Sequence, residues 1–170
     1  MFLAPTPTLS GVIVALAPGM DGVRQTLASM RAMVNTYRTN LALRQQAISL
    51  IFTTPQRDEL GEVTCIFDFV RDHIRYVRDI NDVETLSTPD KTAAARIGDC
   101  DDKTVLLATL LESVGYPTRF VVAGYSNPGD VEHVYLQVFA VGEWIDADTT
   151  ETQPLGYAPP NPVTVLIEGT

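Results

Sequence analysis

Few residues in this 170-residue chain can do covalent chemistry: two cysteines and two histidines stand among 21 acidic side chains. Cys100 lies in GDCDDKTVLLATLLESVG, residues 98–115. Gly98 allows a tight turn, and Asp99, Asp101 and Asp102 are the acidic residues that a first helical turn attracts. The run from Thr104 to Val114 supplies the helix, which Gly115 and Pro117 stop. A thiol at that end meets unpaired N–H groups and the positive end of the helix dipole, and both favour the nucleophilic thiolate. Cys100 is therefore expected to be a reactive thiol with a pKa below that of free cysteine.

A base and its orienter follow downstream. Residues 132–140, EHVYLQVFA, read as a central strand with His133 at its first position. After a turn near Gly142, residues 144–149, WIDADT, pair back as a hairpin in which Trp144, Asp146 and Asp148 share one face. A histidine opening one strand and an aspartate on its partner can be cross-strand neighbours. A carboxylate so placed holds an imidazole in one tautomer while the imidazole takes a thiol proton. Strand parity leaves Asp146 and Asp148 both eligible. Each residue alone reads as structural, but the three together form a rare combination.

The order and spacing resemble the transglutaminase-like superfamily, a papain-like group. Its core reads Gly-x-Cys opening a helix, Gly-hydrophobic-Pro-x-Arg, His opening a strand, then Trp and Asp-x-Thr. Here these are Gly98 and Cys100, the run Gly115-Tyr116-Pro117-Thr118-Arg119, Gly124-Tyr125, His133, Trp144, and Asp148 with Thr149. The likeness spans about residues 60–150 and takes in IFDFVRDHIRYVRD at 66–79. Tyr135 matches the family's aromatic residue two positions after its histidine, whereas Thr149 stands where a proline is usual. The resemblance implies Cys100 as nucleophile, His133 as general base and acid, and Asp148 as orienting carboxylate, the distance from Trp144 favouring Asp148 over Asp146. It implies a protease or amidase cleaving peptide or protein substrates through a thioester on Cys100. Alternatives within the resemblance are a protein-crosslinking transglutaminase and a virion or assembly protein with a retained triad. The last is suggested by short stand-alone relatives in tailed phages and prophages. The location expected is the cytoplasm, or the virion for a phage-encoded chain with other virion proteins as partners.

Composition narrows the rest. With 45% hydrophobic residues the chain is expected to fold as one domain over residues 1–170. A net charge of −9 without a lysine or arginine cluster argues against nucleic acid. No apolar run approaches the roughly 18 residues of a membrane span, and MFLAPTPTLSGVIVALAPGM lacks the basic start of a secretory signal. Two cysteines give no disulfide framework, and Cys65 is expected to be buried and inert. Cys65, His73, Cys100 and His133 are too scattered for zinc, and no calcium loop is present, so no metal or cofactor is expected. His73 reads as a helix-end cation, and the aspartates around Cys100 as helix-start and surface residues.

Several elements must position these residues. Residues 1–58 are expected to hold an N-terminal strand and helices at 21–37 and 41–52, followed by a third helix at 57–74. Residues 59–150 form the expected catalytic core, in which a surface loop over 80–92 precedes the nucleophile and walls a cleft. Strands are expected at 119–125, 133–140 and 143–148. A C-terminal loop and an edge strand at 163–168 complete 151–170. Helices first and antiparallel strands after give an α+β fold with the nucleophile helix packed on the sheet.

Overall fold

The computed structural model describes residues 19–78 and 86–168. The expected N-terminal strand and part of the loop before Cys100 lie outside the described residues. Helix α1, Met20–Tyr37, buries Leu27, Met30 and Val34, a stripe at the three- and four-residue spacing of a helix. Helix α2, Leu41–Ile51, starts where the Asn40 carboxamide oxygen accepts the N–H groups of Ala42 and Leu43. Helix α3, Glu59–His73, begins two residues later than its apolar period suggests. Arg57 sits at φ 66°, and the Asp58 carboxylate caps the Gly61 N–H.

The stretch read as a loop is more structured than expected. Strand β1, Arg75–Tyr76, runs parallel to β2, Ile97–Gly98, and between them lies the short helix α4, Pro89–Ala95. Pro89 is pre-set for the first helical turn, and Arg96 in the left-handed region ends it. Seven residues are too few to show a helical period, which is why this element was not legible. Gly98 serves packing: a Cβ there would stand 2.7 Å from Cβ of Asp102.

Helix α5, Cys100–Ser113, is buried on nearly every side from Asp102 onward, as befits the central helix of the fold. One face meets α1, α2 and α3. The other lies on a four-stranded antiparallel sheet of order β5-β4-β3-β6, made of Glu143–Ala147, His133–Ala140, Thr118–Gly124 and Thr164–Ile167. Phe120, Val122, Val134, Leu136 and Val138 fill the layer between sheet and helix. Burying side chains of this size stabilises the fold by about 1.5–3 kcal/mol each. The α+β architecture, with the helix that Cys100 opens packed on an antiparallel sheet, is the one expected from the sequence.

Two polar ties hold the helices to this core. The Arg31 guanidinium on α1 forks onto Glu168 at 2.8 and 2.9 Å, reaches Glu112 of α5 at 2.6 Å, and lies over the Phe120 ring. The Lys103 ammonium, 2% exposed, donates to the carbonyls of Arg71 and Ile74 where α3 ends.

Candidate active site

Cys100 is the first residue of α5, and the Asp99 carboxylate before it accepts the Asp102 N–H at 2.9 Å. The other acidic residues are not all at the surface as expected. Asp102 is buried and accepts the Ser87 N–H at 2.7 Å, which pins the approach to the helix. Asp101 lies against Cys100, whose thiol donates to its Oδ1 at 3.4 Å. Thr104, one turn along, donates to the Val134 carbonyl at 3.3 Å and fixes α5 beside the start of β4.

His133 opens β4, as the sequence suggested. Strand β5 ends at Ala147, so Asp148 stands just past it. The His133 Nε2 to Asp148 Oδ2 distance is 2.7 Å. The far oxygen of Asp148 accepts the N–H and hydroxyl of Thr150 at 2.9 and 2.7 Å. Burial opposes ionisation of Asp148, but the hydrogen bond and charge of His133, with the two bonds from Thr150, outweigh it and hold the carboxyl below its usual range. An ionised carboxylate only accepts, so Nε2 of His133 carries the proton and Nδ1 is left as the basic nitrogen. The Tyr135 ring stacks on the imidazole, with centroids 5.9 Å apart.

The choice between the two aspartates follows from register. Phe139 pairs with Trp144 and Gln137 with Asp146, so Asp146 lies level with a residue four positions along β4 from His133. Its Oδ1 accepts from the Gln137 carboxamide at 2.7 Å, whose oxygen in turn accepts from Arg119. The charge of Asp146, after burial, pushes the Tyr135 hydroxyl up from its ordinary value. Asp146 thus anchors a polar chain across the outer face of the sheet, and Asp148 alone of the two meets His133.

Cys100 and His133 line one cleft of about 260 Å³, whose opposite wall is the N-terminal half of α1. The expectation of a depressed thiol pKa is corrected here. Burial pushes the Cys100 thiol well up, the charges of Asp101 and Asp99 push it further, and the Val134 N–H acts weakly the other way. The helix end and imidazole do not override a half-buried thiol bonded to a carboxylate. Cys65 is half-buried rather than buried, with its sulfur 3.7 Å from the Thr54 hydroxyl, and both cysteines are free. His73 ends α3, exposed and stacked on Phe69, as a helix-end residue. Among the described residues no group of three His, Cys, Asp or Glu is placed to hold a metal ion, and no helix is long and apolar enough to cross a membrane.

Thr150 and Lys103 were missed by the sequence reading. Thr150 fits the Asp-x-Thr pattern and could have been found there. Lys103 carries no local signal, since partners remote in sequence give it its setting.

The chain is similar to a candidate protease of Parabacteroides distasonis, at 14% identity and TM-score 0.62 over 81% of the chain and 27% of that protein. It is similar to a candidate cysteine protease of Cytophaga hutchinsonii, at 18% identity and TM-score 0.57 over 88% of the chain and 50% of that one. Calcium-bound LapG of Legionella pneumophila gives 18% identity and TM-score 0.55, over 82% of this chain and 83% of its own. The chain thus spans about a quarter and a half of the first two, and the likeness is one of fold. No curated protein matches the sequence. The model describing the transglutaminase-like superfamily matches residues 46–149, from the middle of α2 to the residue after Asp148. That stretch is more than half of the chain and holds the thiol, the imidazole and the carboxylate in order, so the protein belongs to the transglutaminase-like superfamily.

Proposed function

We propose that this protein is a cysteine-dependent hydrolase of peptide or amide bonds, with Cys100 as nucleophile, His133 as base and acid, and Asp148 as orienter. The observation that carries the reading is the His133–Asp148 pair at 2.7 Å, opening on the same cleft as a thiol at a helix start. Nδ1 of His133 takes the thiol proton as Sγ bonds to the substrate carbonyl carbon. The negative oxygen that forms is held by the Cys100 N–H, the first of the helix. Collapse breaks the C–N bond, and the imidazolium gives its proton to the leaving amine. Water then attacks the thioester, His133 accepts its proton, and the acid departs as Sγ regains a proton.

The raised thiol pKa fits proton transfer during attack better than a resting thiolate–imidazolium pair. The protease-like fold neighbours support peptide or protein substrates. An amine in place of water would give the crosslinking variant of the same chemistry. Incubation with a quenched peptide library and a free amine tests the reading. Cleavage lost in Cys100→Ala supports hydrolysis, and amine incorporation supports crosslinking. A virion-assembly role predicts the same fold without either product.

A further inference from the structure

We propose that the cleft beside Cys100 is a subsite for a peptide segment that carries a basic side chain next to an aliphatic one. The proposal rests on the reading of Cys100 as the nucleophile and names the substrate class of that site. Leu27 and Met30 of α1 face Val122 and Val131, giving the cleft an apolar floor. Two acidic residues, Asp101 and Glu132, also line the cleft, and no lysine or arginine is among the described residues that line it. At about 260 Å³ the space is smaller than the roughly 300–1,000 Å³ of ordinary ligand pockets, and suits one or two side chains.

A lysine or arginine side chain matches this arrangement along its length. Its methylene stem covers apolar surface while its charged head stays at the wet, acidic rim. An acidic partner side chain would face two like charges in a narrow site whose apolar walls strengthen the field. The same placement bears on the chemistry. A cation beside Asp101 offsets the carboxylate that now accepts the thiol proton, so a matching substrate helps free Cys100 for His133.

Rates of Cys100 modification by three methanethiosulfonates test the charge preference in the full chain: aminoethyl (cationic), methyl (neutral) and sulfonatoethyl (anionic). Each rate is divided by that of the same reagent with free 2-mercaptoethanol, and mass spectrometry confirms the site. The cationic reagent is expected to be favoured over the anionic one by about tenfold at low salt, and by less at high salt. The preference should fall to within about twofold of unity in Asp101→Asn/Glu132→Gln, and part of the way in Glu132→Gln alone, a surface change that leaves the fold intact. A ratio does not depend on how much of the thiol is ionised. A ratio near one in the parent, or one unmoved in both variants, would overturn the proposal.

The aliphatic half is read by protection. Acetyl-Leu-Lys-amide should slow iodoacetamide labelling of Cys100 more than acetyl-Leu-Glu-amide or acetyl-Gly-Lys-amide, and equal effects of all three overturn it. Neither readout needs turnover. Intact preferences without cleavage would sink the hydrolase reading alone, and cleavage without preferences would sink the subsite alone.

Discussion

Asp101→Asn is expected to make the Cys100 thiol more reactive at neutral pH, although it alters a residue in contact with it. The sign follows from the charge: the carboxylate 3.4 Å from Sγ raises the cost of a thiolate, so neutralising it lowers the thiol pKa. Two unit charges at that separation repel by about 1.2 kcal/mol in water-like surroundings and about 5 kcal/mol at an effective dielectric near 20. Both side chains are only half-buried, so solvent screens much of this and the lower end applies. About 1.4 kcal/mol corresponds to one pH unit, hence roughly ten times more thiolate below the pKa. A thiolate of lower pKa is also a weaker nucleophile, with a Brønsted slope of about 0.4–0.5, so the net gain is roughly threefold. The assay is the pH–rate profile of iodoacetamide alkylation with Cys100 mapped by mass spectrometry. The parent rate should still climb beyond pH 9.0, the ordinary thiol value. The variant should bend about one unit lower and react about threefold faster near neutrality. An inflection that stays put, or moves up, would refute the electrostatic account.

Asp148→Asn should lower turnover by about a hundredfold or more and Asp146→Asn by less than about tenfold, because only Asp148 can stabilise the imidazolium. A larger loss in Asp146→Asn, read with the same peptide substrate, would reverse the assignment. Thr150→Val removes the hydroxyl bond to Asp148 and should cost about tenfold in kcat with little change in KM, while Thr150→Ser restores activity. Burial holds the Lys103 ammonium at a pKa of about 8 against 10.5 in the unfolded chain, which therefore binds more protons between those values. Stability from this group rises with pH across that window, so chemical denaturation should show the parent gaining about 1–3 kcal/mol on Lys103→Met from pH 8 to 10.5. A constant difference would contradict the burial.

Much of this arrangement was open to reading from residues in order. The stripe of Leu27, Met30 and Val34, the stop after Ser113 and the alternation along 133–140 each follow from a period that a local element imposes. The decision between Asp146 and Asp148 was within reach but needed one further step. Val141 and Gly142 both have positive φ and form a two-residue turn flanked by the Ala140–Glu143 pair. Counting outward from such a turn sets Gln137 against Asp146 and would set Tyr135 against Asp148, which brings Asp148 two residues nearer than Asp146 to the level of His133. A valine there hides the turn, since these positions usually carry asparagine or glycine. The thiol's raised pKa was out of reach for a different reason. It depends on how deeply Cys100 sits and which way Asp101 turns, and both are set by distant parts of the chain packing around α5. Lys103 is similar: one turn beyond Cys100 it reads as a solvated helix residue until the end of α3 is laid over it.

The Arg31 fork has a consequence in time as well as in space. It joins positions 137 apart in sequence, and it ties to the core the helix that makes one wall of the Cys100 cleft. A contact spanning so much of the chain carries a large loop-closure cost and forms late in folding. During synthesis, α1, α5 and the hairpin bearing His133 all leave the ribosome before Glu168 does. Until that residue arrives, α1 is held to the core by its apolar stripe and by Glu112, and the wall lacks its second carboxylate tie. The wall of the cleft is thus completed after the elements that carry Cys100 and His133, an order set by position in the chain.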